Sequence, residues 1–145
     1  ALCRARSPAA FAGSAPDFEI FDRGDALYII AFEQVRRVYL DGRERPPGFW
    51  ANKLGWSEGR WDGDTLVVTT TDFTEGSLPS PAPLLFGGPD ARMIERYALS
   101  GDATRLSVRV TLDDPSYYIE PMAFDFEFAR SDKTLHGIDC IPTVY

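Results

Sequence analysis

The sequence predicts one all-β domain, an antiparallel up-and-down β-barrel or a strongly curved sheet of about eight or nine strands, with a β-sandwich as the alternative. Short runs of β-branched and aromatic residues recur at intervals of roughly 8–15 residues, and turn dipeptides separate them. By periodicity residues 92–99 fit a helix or a strand, and a strand is favoured because the turn at residues 100–102 and the next strand complete a hairpin. No segment predicts a convincing helix. A barrel is favoured because closure removes the sheet edges on which chains aggregate.

Alternation and flanking turns define the individual strands. Residues 105–112 and 122–129 alternate apolar and polar side chains, whereas residues 26–33 are apolar almost throughout, which predicts burial on both faces. Asp62-Gly63 is the clearest hairpin turn, because glycine tolerates the positive φ that tight turns need. In chain order, the predicted strands are residues 18–21, 26–33, 35–41, 54–61, 65–71, 92–99, 105–112, 122–129 and 135–140.

Strand parity also assigns side chains to faces. In residues 35–41, Arg37 and Tyr39 face one way, and Arg36 and Val38 face the other. In residues 54–61, one face carries the small set Gly55, Ser57 and Gly59, which permits another backbone to approach closely. The opposite face carries Trp56, Glu58 and Arg60.

The predicted domain spans residues 18–145 and follows an extended lead-in over residues 1–17, which is rich in Ala, Ser and Pro. Proline and glycine are also frequent in residues 74–91, which predicts a long loop. The domain is long enough to bury a sizeable core, since the chain has 145 residues, of which 44% are hydrophobic.

Composition also limits the partners. The net charge of −7 and the dispersed basic residues argue against nucleic acid, whose phosphates need clustered Lys and Arg. No apolar run approaches the roughly 18 residues of a membrane span. A small-molecule ligand or another protein subunit remains, including a second copy in a homo-oligomer.

The ends of the sequence suggest export. The chain begins at Ala1 rather than methionine, which fits a removed signal peptide and predicts a periplasmic or secreted protein; a boundary of the given sequence is the alternative. A disulfide between Cys3 and Cys140 would join both termini of the domain. Two free buried thiols are the alternative.

Two motifs carry a family resemblance. Residues 35–43 read VRRVYLDGR, and residues 59–68 read GRWDGDTLVV. Together they resemble a large family of uncharacterised exported bacterial proteins with the pattern RRIYTDGR…GRWEGDTLVV. The resemblance implies an exported β protein and no particular activity. This chain departs from the pattern at Thr69, where the family usually has an acidic residue. The outline is also similar to lipocalin-like barrels, which concerns fold alone.

The sequence carries no recognised catalytic or cofactor motif. It has no phosphate loop, no nucleophile elbow, no HExxH zinc motif and no EF-hand ligand pattern, so we predict no cofactor and no metal site. His136 is the only histidine, which excludes multi-histidine metal sites. It would serve as a general base only beside a carboxylate such as Asp139 or Asp125.

Charged and aromatic residues within the strands are the candidate ligand-binding residues. Arg37, Arg60 and Arg96 would bind a carboxylate or phosphate if they pointed into a barrel lumen, with Glu58 or Glu95 as neutralising or acid–base partners. An ion-pair lattice on the outer face is the alternative. The full candidate set is Arg37, Tyr39, Trp56, Glu58, Arg60, Glu95, Arg96 and Tyr118.

Three functions remain open on these grounds. The aromatic-rich strands and the lack of a catalytic motif favour an exported barrel that binds a small apolar or amphipathic molecule. The second is a protein-interaction or self-assembly subunit that docks through the lead-in and the 74–91 loop. The third is an isomerase, lyase or hydrolase, which requires Glu58 or Glu95 to meet a tyrosine in one pocket.

Overall fold

A computed structural model describes residues 8–9, 17–31, 34–78 and 84–135. These ranges hold ten strands and no α-helix. The strands are β1 (Glu19–Asp22), β2 (Ala26–Ala31), β3 (Gln34–Tyr39), β4 (Trp56–Asp62), β5 (Thr65–Thr71), β6 (Gly76–Leu78), β7 (Leu84–Phe86), β8 (Arg92–Leu99), β9 (Arg105–Asp113) and β10 (Met122–Ala129).

Eight of these strands form one curved sheet in the order β1-β2-β3-β4-β5-β8-β9-β10. The sheet curls into a half-barrel, which confirms the predicted all-β curved sheet and not the sandwich alternative. The predicted turn at Asp62-Gly63 is confirmed, because Gly63 has a positive φ of 59°; Gly24 and Gly42, in two further connections, also have positive φ. The predicted strands agree with the observed ones to within about two residues at most ends, as expected for boundary assignments.

One neighbouring pair departs from the predicted antiparallel arrangement. Strands β3 and β4 run parallel, with Val38 opposite Ser57 and Tyr39 opposite Glu58. Parallel neighbours need a crossover rather than a hairpin. Residues 40–55 supply it, and Asn52 fixes its end by pairing with Phe73 in an isolated parallel bridge.

The predicted loop at residues 74–91 contains a short hairpin. Strands β6 and β7 pair antiparallel there, apart from the main sheet. The buried carboxylate of Asp114 accepts hydrogen bonds from the backbone N–H groups of Gly87 and Gly88, at 2.9 and 3.1 Å. These bonds tie the end of the hairpin to the segment that follows β9.

The main sheet stays open along its first and last strands. Among the described residues, β1 pairs only with β2, and β10 pairs only with β9. The two edges nevertheless meet through side chains, because the rings of Phe18 and Phe128 pack edge-to-face with centroids 4.8 Å apart. The half-barrel therefore closes here through aromatic packing rather than through a backbone ladder.

The core lies on the concave side of the sheet, where side chains from β2, β3, β5, β8 and β9 are buried. Ala9 of the predicted lead-in is fully buried in this core. Gly59 on β4 has no room for a side chain, because an added Cβ would lie 2.9 Å from Val38 and 2.7 Å from Leu40. The space at Gly59 is filled by side-chain methyl groups of Val38 and Leu40, not by the second backbone that the small residues of β4 predict.

Several predictions fall outside the described residues. They are the Cys3–Cys140 disulfide, the role of His136, most of the lead-in at residues 1–17 and most of the last predicted strand at residues 135–140. Leu135 is described, and its backbone N–H donates to Glu19 Oε1 at 3.4 Å.

Candidate functional site

A buried polar cluster lies inside the otherwise apolar concave face. Four strands contribute to it: β3, β4, β5 and β8. All five members are buried, and we call them the Arg36 cluster. They are Arg36, Ser57, Thr70, Glu95 and Tyr97.

The centre of the cluster is a bidentate ion pair between Arg36 and Glu95. Arg36 Nη1 donates to Glu95 Oε1 at 2.9 Å, and Nη2 donates to Oε2 at 2.5 Å. Arg36 Nε donates to Ser57 Oγ at 3.0 Å, and Nη2 also donates to Thr70 Oγ1 at 2.6 Å. Tyr97 Oη donates to Glu95 Oε1 at 2.7 Å. The buried charges are thus paired and hydrogen-bonded, as buried charges must be.

Strand parity explains why these side chains share one face. Arg36 alternates with Val38 on the buried side of β3, and Glu95 and Tyr97 are two residues apart on β8. Ser57 and Thr70 lie directly opposite each other on β4 and β5, between the two charges. Because both are small, the Arg36 side chain can lie across them and reach β8.

Two members of the cluster, Arg36 and Tyr97, have raised pKa values. Burial disfavours the charge of Arg36, but the Glu95 carboxylate outweighs burial, so the pKa of Arg36 is raised above its usual value. Burial, and then the adjacent Glu95 carboxylate, raises the pKa of Tyr97 well above its ordinary 10. Arg36 therefore stays charged, and Tyr97 stays a hydrogen-bond donor.

An apolar cleft lies beside the Glu95–Tyr97 pair. Its enclosed space is about the size of one water molecule, and the 290 Å³ around it includes open solvent. Strands β2, β8, β9 and β10 and the residue before β1 line it, and Glu95 and Tyr97 are its polar members. The lining residues are Phe18, Ile29, Glu95, Tyr97, Val108, Val110, Phe126 and Phe128.

Glu95 is the one member of the predicted ligand-binding set that borders this cleft. Arg37, Arg60 and Arg96 lie on the convex face, where all three are exposed, and not in a lumen. Arg96 pairs with Asp62 at 3.0 Å there. Arg96 therefore matches the alternative of an ion pair on the outer face.

Three other predicted residues meet Arg37 on the convex face. Arg37 Nη1 donates to Tyr39 Oη at 3.3 Å, and the Tyr39 ring stacks on Trp56 with centroids 4.4 Å apart. Trp56 Nε1 donates to Glu58 Oε1 at 3.0 Å. Tyr118 lies elsewhere, and its hydroxyl donates to the backbone oxygen of Leu85. The structure thus divides the predicted set between two faces.

No sequence pattern identifies Arg36, Ser57, Thr70 or Tyr97 as partners of Glu95. A signal for Arg36 was present, because it shares a strand face with the apolar residue Val38. A charge on an apolar face must be paired when that face is buried. Ser57 and Thr70 carry no comparable signal, since small polar residues are common in strands.

Two further observations concern metal binding and membrane insertion. The described residues contain no group of three or more His, Cys, Asp or Glu side chains that could hold a metal ion. In the same ranges, no helix is long and apolar enough to cross a lipid bilayer.

Comparisons with known proteins found no relative. No protein-family model, no curated protein and no solved structure matches the chain. The resemblance to exported bacterial proteins therefore stays a prediction.

Proposed function

We propose that this protein binds a small amphipathic molecule in the concave cleft. The observation that carries the proposal is the position of the Glu95–Tyr97 pair, a buried polar group bordering an otherwise apolar cleft. Ligand sites typically combine apolar walls with a few fixed polar groups. In the proposed complex the cleft widens from its present enclosed space of about one water molecule, and Val108, Val110 and Phe126 contact the apolar body of the ligand.

The hydrogen bonds of Glu95 indicate which polar group the ligand carries. A carboxylate has about four acceptor sites. Oε1 accepts from Arg36 and Tyr97, and Oε2 accepts from Arg36. One acceptor site remains on Oε2, and a ligand reaches it only when the cleft widens, because Glu95 is 1% exposed. Because Arg36 already balances the charge of Glu95, the proposed ligand is neutral and carries a hydroxyl or N–H group.

Catalysis is a weaker alternative for the same cleft. The meeting of Glu95 with a tyrosine satisfies the geometric requirement of an acid–base enzyme. Proton transfer at neutral pH is nevertheless unfavourable, since the pKa of Tyr97 is raised and both oxygens of Glu95 are engaged by Arg36. The arrangement favours holding a ligand over exchanging protons with it.

A matched series of ligands tests the binding proposal. 4-Ethylphenol, ethylbenzene and 4-ethylbenzoate share one apolar body and differ in the polar group. We expect 4-ethylphenol to shift the backbone amide NMR signals of β9 and β10 saturably, ethylbenzene to bind more weakly and 4-ethylbenzoate to bind least. Equal responses to all three would contradict the role of Glu95, and no saturable response would contradict binding in the cleft.

A pair of substitutions locates the site. Val108→Phe adds bulk inside the cleft, whereas Val35→Phe adds the same bulk at a residue that is 53% exposed. We expect Val108→Phe to abolish the response to 4-ethylphenol and Val35→Phe to retain it. If Val108→Phe proves unfolded by circular dichroism, Ile29→Phe takes its place. Retained binding in a folded, filled variant would place the ligand elsewhere.

The proposal includes export, on the strength of the resemblance alone. Fractionation of the source cells, followed by detection of the native protein, tests this part separately. Recovery with periplasmic or secreted markers is expected, and recovery with cytoplasmic markers would contradict it. Sedimentation of the same native sample tests the alternative of self-assembly.

A further inference from the structure

Strand β1 forms one open edge of the main sheet. Among the described residues, no strand pairs with it on the side away from β2. Its two apolar side chains, Ile20 and Phe21, are 39% and 49% exposed, so an apolar surface accompanies the open edge. Open strand edges present unpaired backbone groups with which another chain can pair. β1 is therefore a candidate interaction surface.

The hairpin between β1 and β2 fixes which backbone groups of β1 are available. Arg23 N–H donates to the backbone oxygen of Ala26 at 3.0 Å, so these two residues form the hydrogen-bonded pair next to the turn. Hydrogen-bonded and non-hydrogen-bonded pairs alternate along an antiparallel ladder. Phe21 therefore bonds to β2, and the N–H and C=O groups of Ile20 and Asp22 point outward.

These outward groups fit a second copy of the same strand. A two-fold axis normal to the sheet at Phe21 pairs Ile20 with Asp22 of the second copy, so the outward N–H and C=O groups of both strands meet. The same register sets the two Phe21 rings directly opposite each other, in a non-hydrogen-bonded pair, where side chains lie closest. The edge is thus complementary to itself in backbone and ring contacts.

The charges that flank Phe21 are complementary in the same register. Glu19 and Arg23 lie two residues to either side of Phe21, so the pairing sets Glu19 of one copy opposite Arg23 of the other. Across the described residues, Arg23 forms no salt bridge, and its guanidinium carbon lies 6.0 Å from the ring centroid of Tyr28. Glu19 Oε1 accepts from Leu135 N–H at 3.4 Å, which leaves Oε2 for the arginine of the second copy.

The opposite edge of the sheet is less suited to self-pairing. The exposed face of β10 carries Asp125 and Glu127, whose side chains are 69% and 63% exposed, and β10 has no cationic residue to place opposite them. A two-fold axis at Phe126 would set Asp125 against Glu127 of the second copy, and like charges directly opposite each other are destabilising. Self-association is therefore favoured at β1.

We propose that β1 is a dimer interface, at which two copies of this chain pair their β1 strands antiparallel about a two-fold axis at Phe21. The two main sheets then continue into each other. The dimer is weak and forms at high protein concentration, because a strand of four residues buries far less than the roughly 1,000 Å² of a stable interface. No residue of β1 lines the concave cleft, so the interface does not depend on ligand binding there.

Charge-swap variants of the intact chain test the interface by sedimentation equilibrium. We expect the natural chain to show a monomer–dimer equilibrium in the high micromolar range. Glu19→Arg and Arg23→Glu each place like charges opposite each other and should weaken the dimer roughly tenfold, and the double variant should restore it. Glu127→Arg on β10 is the control and should leave the dimer unchanged. A monomer at every concentration, or equal losses in the swaps and the control, would overturn the proposal.

Contacts between isotope-labelled and unlabelled copies test the register. We expect nuclear Overhauser contacts between the Phe21 rings of the two copies, and between Ile20 of one copy and Asp22 of the other. Intermolecular contacts confined to another surface would overturn the proposal. If a swap variant fails to fold by circular dichroism, Ile20→Pro replaces it, because proline there removes an N–H group that points away from β2. A folded Ile20→Pro variant that still dimerises as the natural chain does would also overturn the proposal.

Discussion

Arg36 on β3 and Glu95 on β8 form a bidentate ion pair although two strands, β4 and β5, lie between them. In a flat sheet their backbones would be separated by about 14 Å, at roughly 4.8 Å for each strand spacing. The pair forms because the sheet curls and because Ser57 and Thr70, in between, are small. The ion pair therefore depends on the curvature of the half-barrel.

Removing one charge of this pair tests its contribution to stability. Glu95→Gln keeps the shape of the side chain but leaves Arg36 buried without its counter-charge. We expect a loss of about 3–5 kcal/mol in the free energy of unfolding, measured by urea denaturation. Asp62→Asn, which removes a charge from the exposed pair with Arg96, is the control and should cost about 1 kcal/mol or less. Equal losses in the two variants would contradict the buried role of Glu95.

The raised pKa of Tyr97 predicts a loss of stability at alkaline pH. Burial raises the pKa of Tyr97 in the folded state well above the value of about 10 in the unfolded chain. Its contribution is therefore complete below about pH 10 and is lost as the pH rises above 10, where only the unfolded state releases the proton. We expect Tyr97→Phe to show a shallower alkaline fall in the free energy of unfolding. Parallel curves for the variant and the natural chain would contradict this assignment.

A side chain added at Gly59 is expected to overpack the core, although the backbone angle there is ordinary. In Gly59→Ala the added Cβ would lie within 3 Å of Val38 and Leu40. We expect this overpacking to lower the free energy of unfolding by about 1–3 kcal/mol, measured by urea denaturation. Gly101→Ala is the matched control, since an added Cβ there meets nothing within 4 Å. A neutral Gly59→Ala would show that the core relaxes around the methyl group.

Asp114 is expected to stabilise the link between the β6–β7 hairpin and the segment after β9. Asp114→Ala leaves the N–H groups of Gly87 and Gly88 without their carboxylate acceptor. We expect a loss on the order of 3 kcal/mol, with faster hydrogen exchange at Gly87 and Gly88. Asp113→Ala, which removes only the partly exposed pair with Arg92, should have little effect on that exchange. Unchanged exchange in Asp114→Ala would refute the link.

The sequence predicts most strands because alternation records which face is buried. Residues 105–112 and 122–129 show this best, since their large apolar side chains all point to the concave side. Turn chemistry places Gly63 correctly for the same local reason. The parallel pairing of β3 and β4 is different, because it depends on the path of residues 40–55 across the sheet, and no local pattern records that path.

The candidate site is harder to predict than the strands. Parity separates Arg36 from Arg37, but it does not say which face is concave. The apolar residue Val38 indicates which face is buried, and Arg36 shares that face. The cluster also needs Ser57 and Thr70 to lie between Arg36 and Glu95, and this follows from the order of strands in the folded sheet rather than from spacing along the chain.

The contact between Phe18 and Phe128 bears on where the half-barrel opens most easily. Both rings line the cleft, and they come from opposite ends of the chain. Such a contact has high contact order, and it forms only after the intervening hairpins have brought the edges together. An aromatic pair is worth about 0.5–1.5 kcal/mol beyond its buried area. Between β1 and β10, this contact takes the place of a hydrogen-bonded ladder, so we expect these two edges to separate locally while the other strands stay paired.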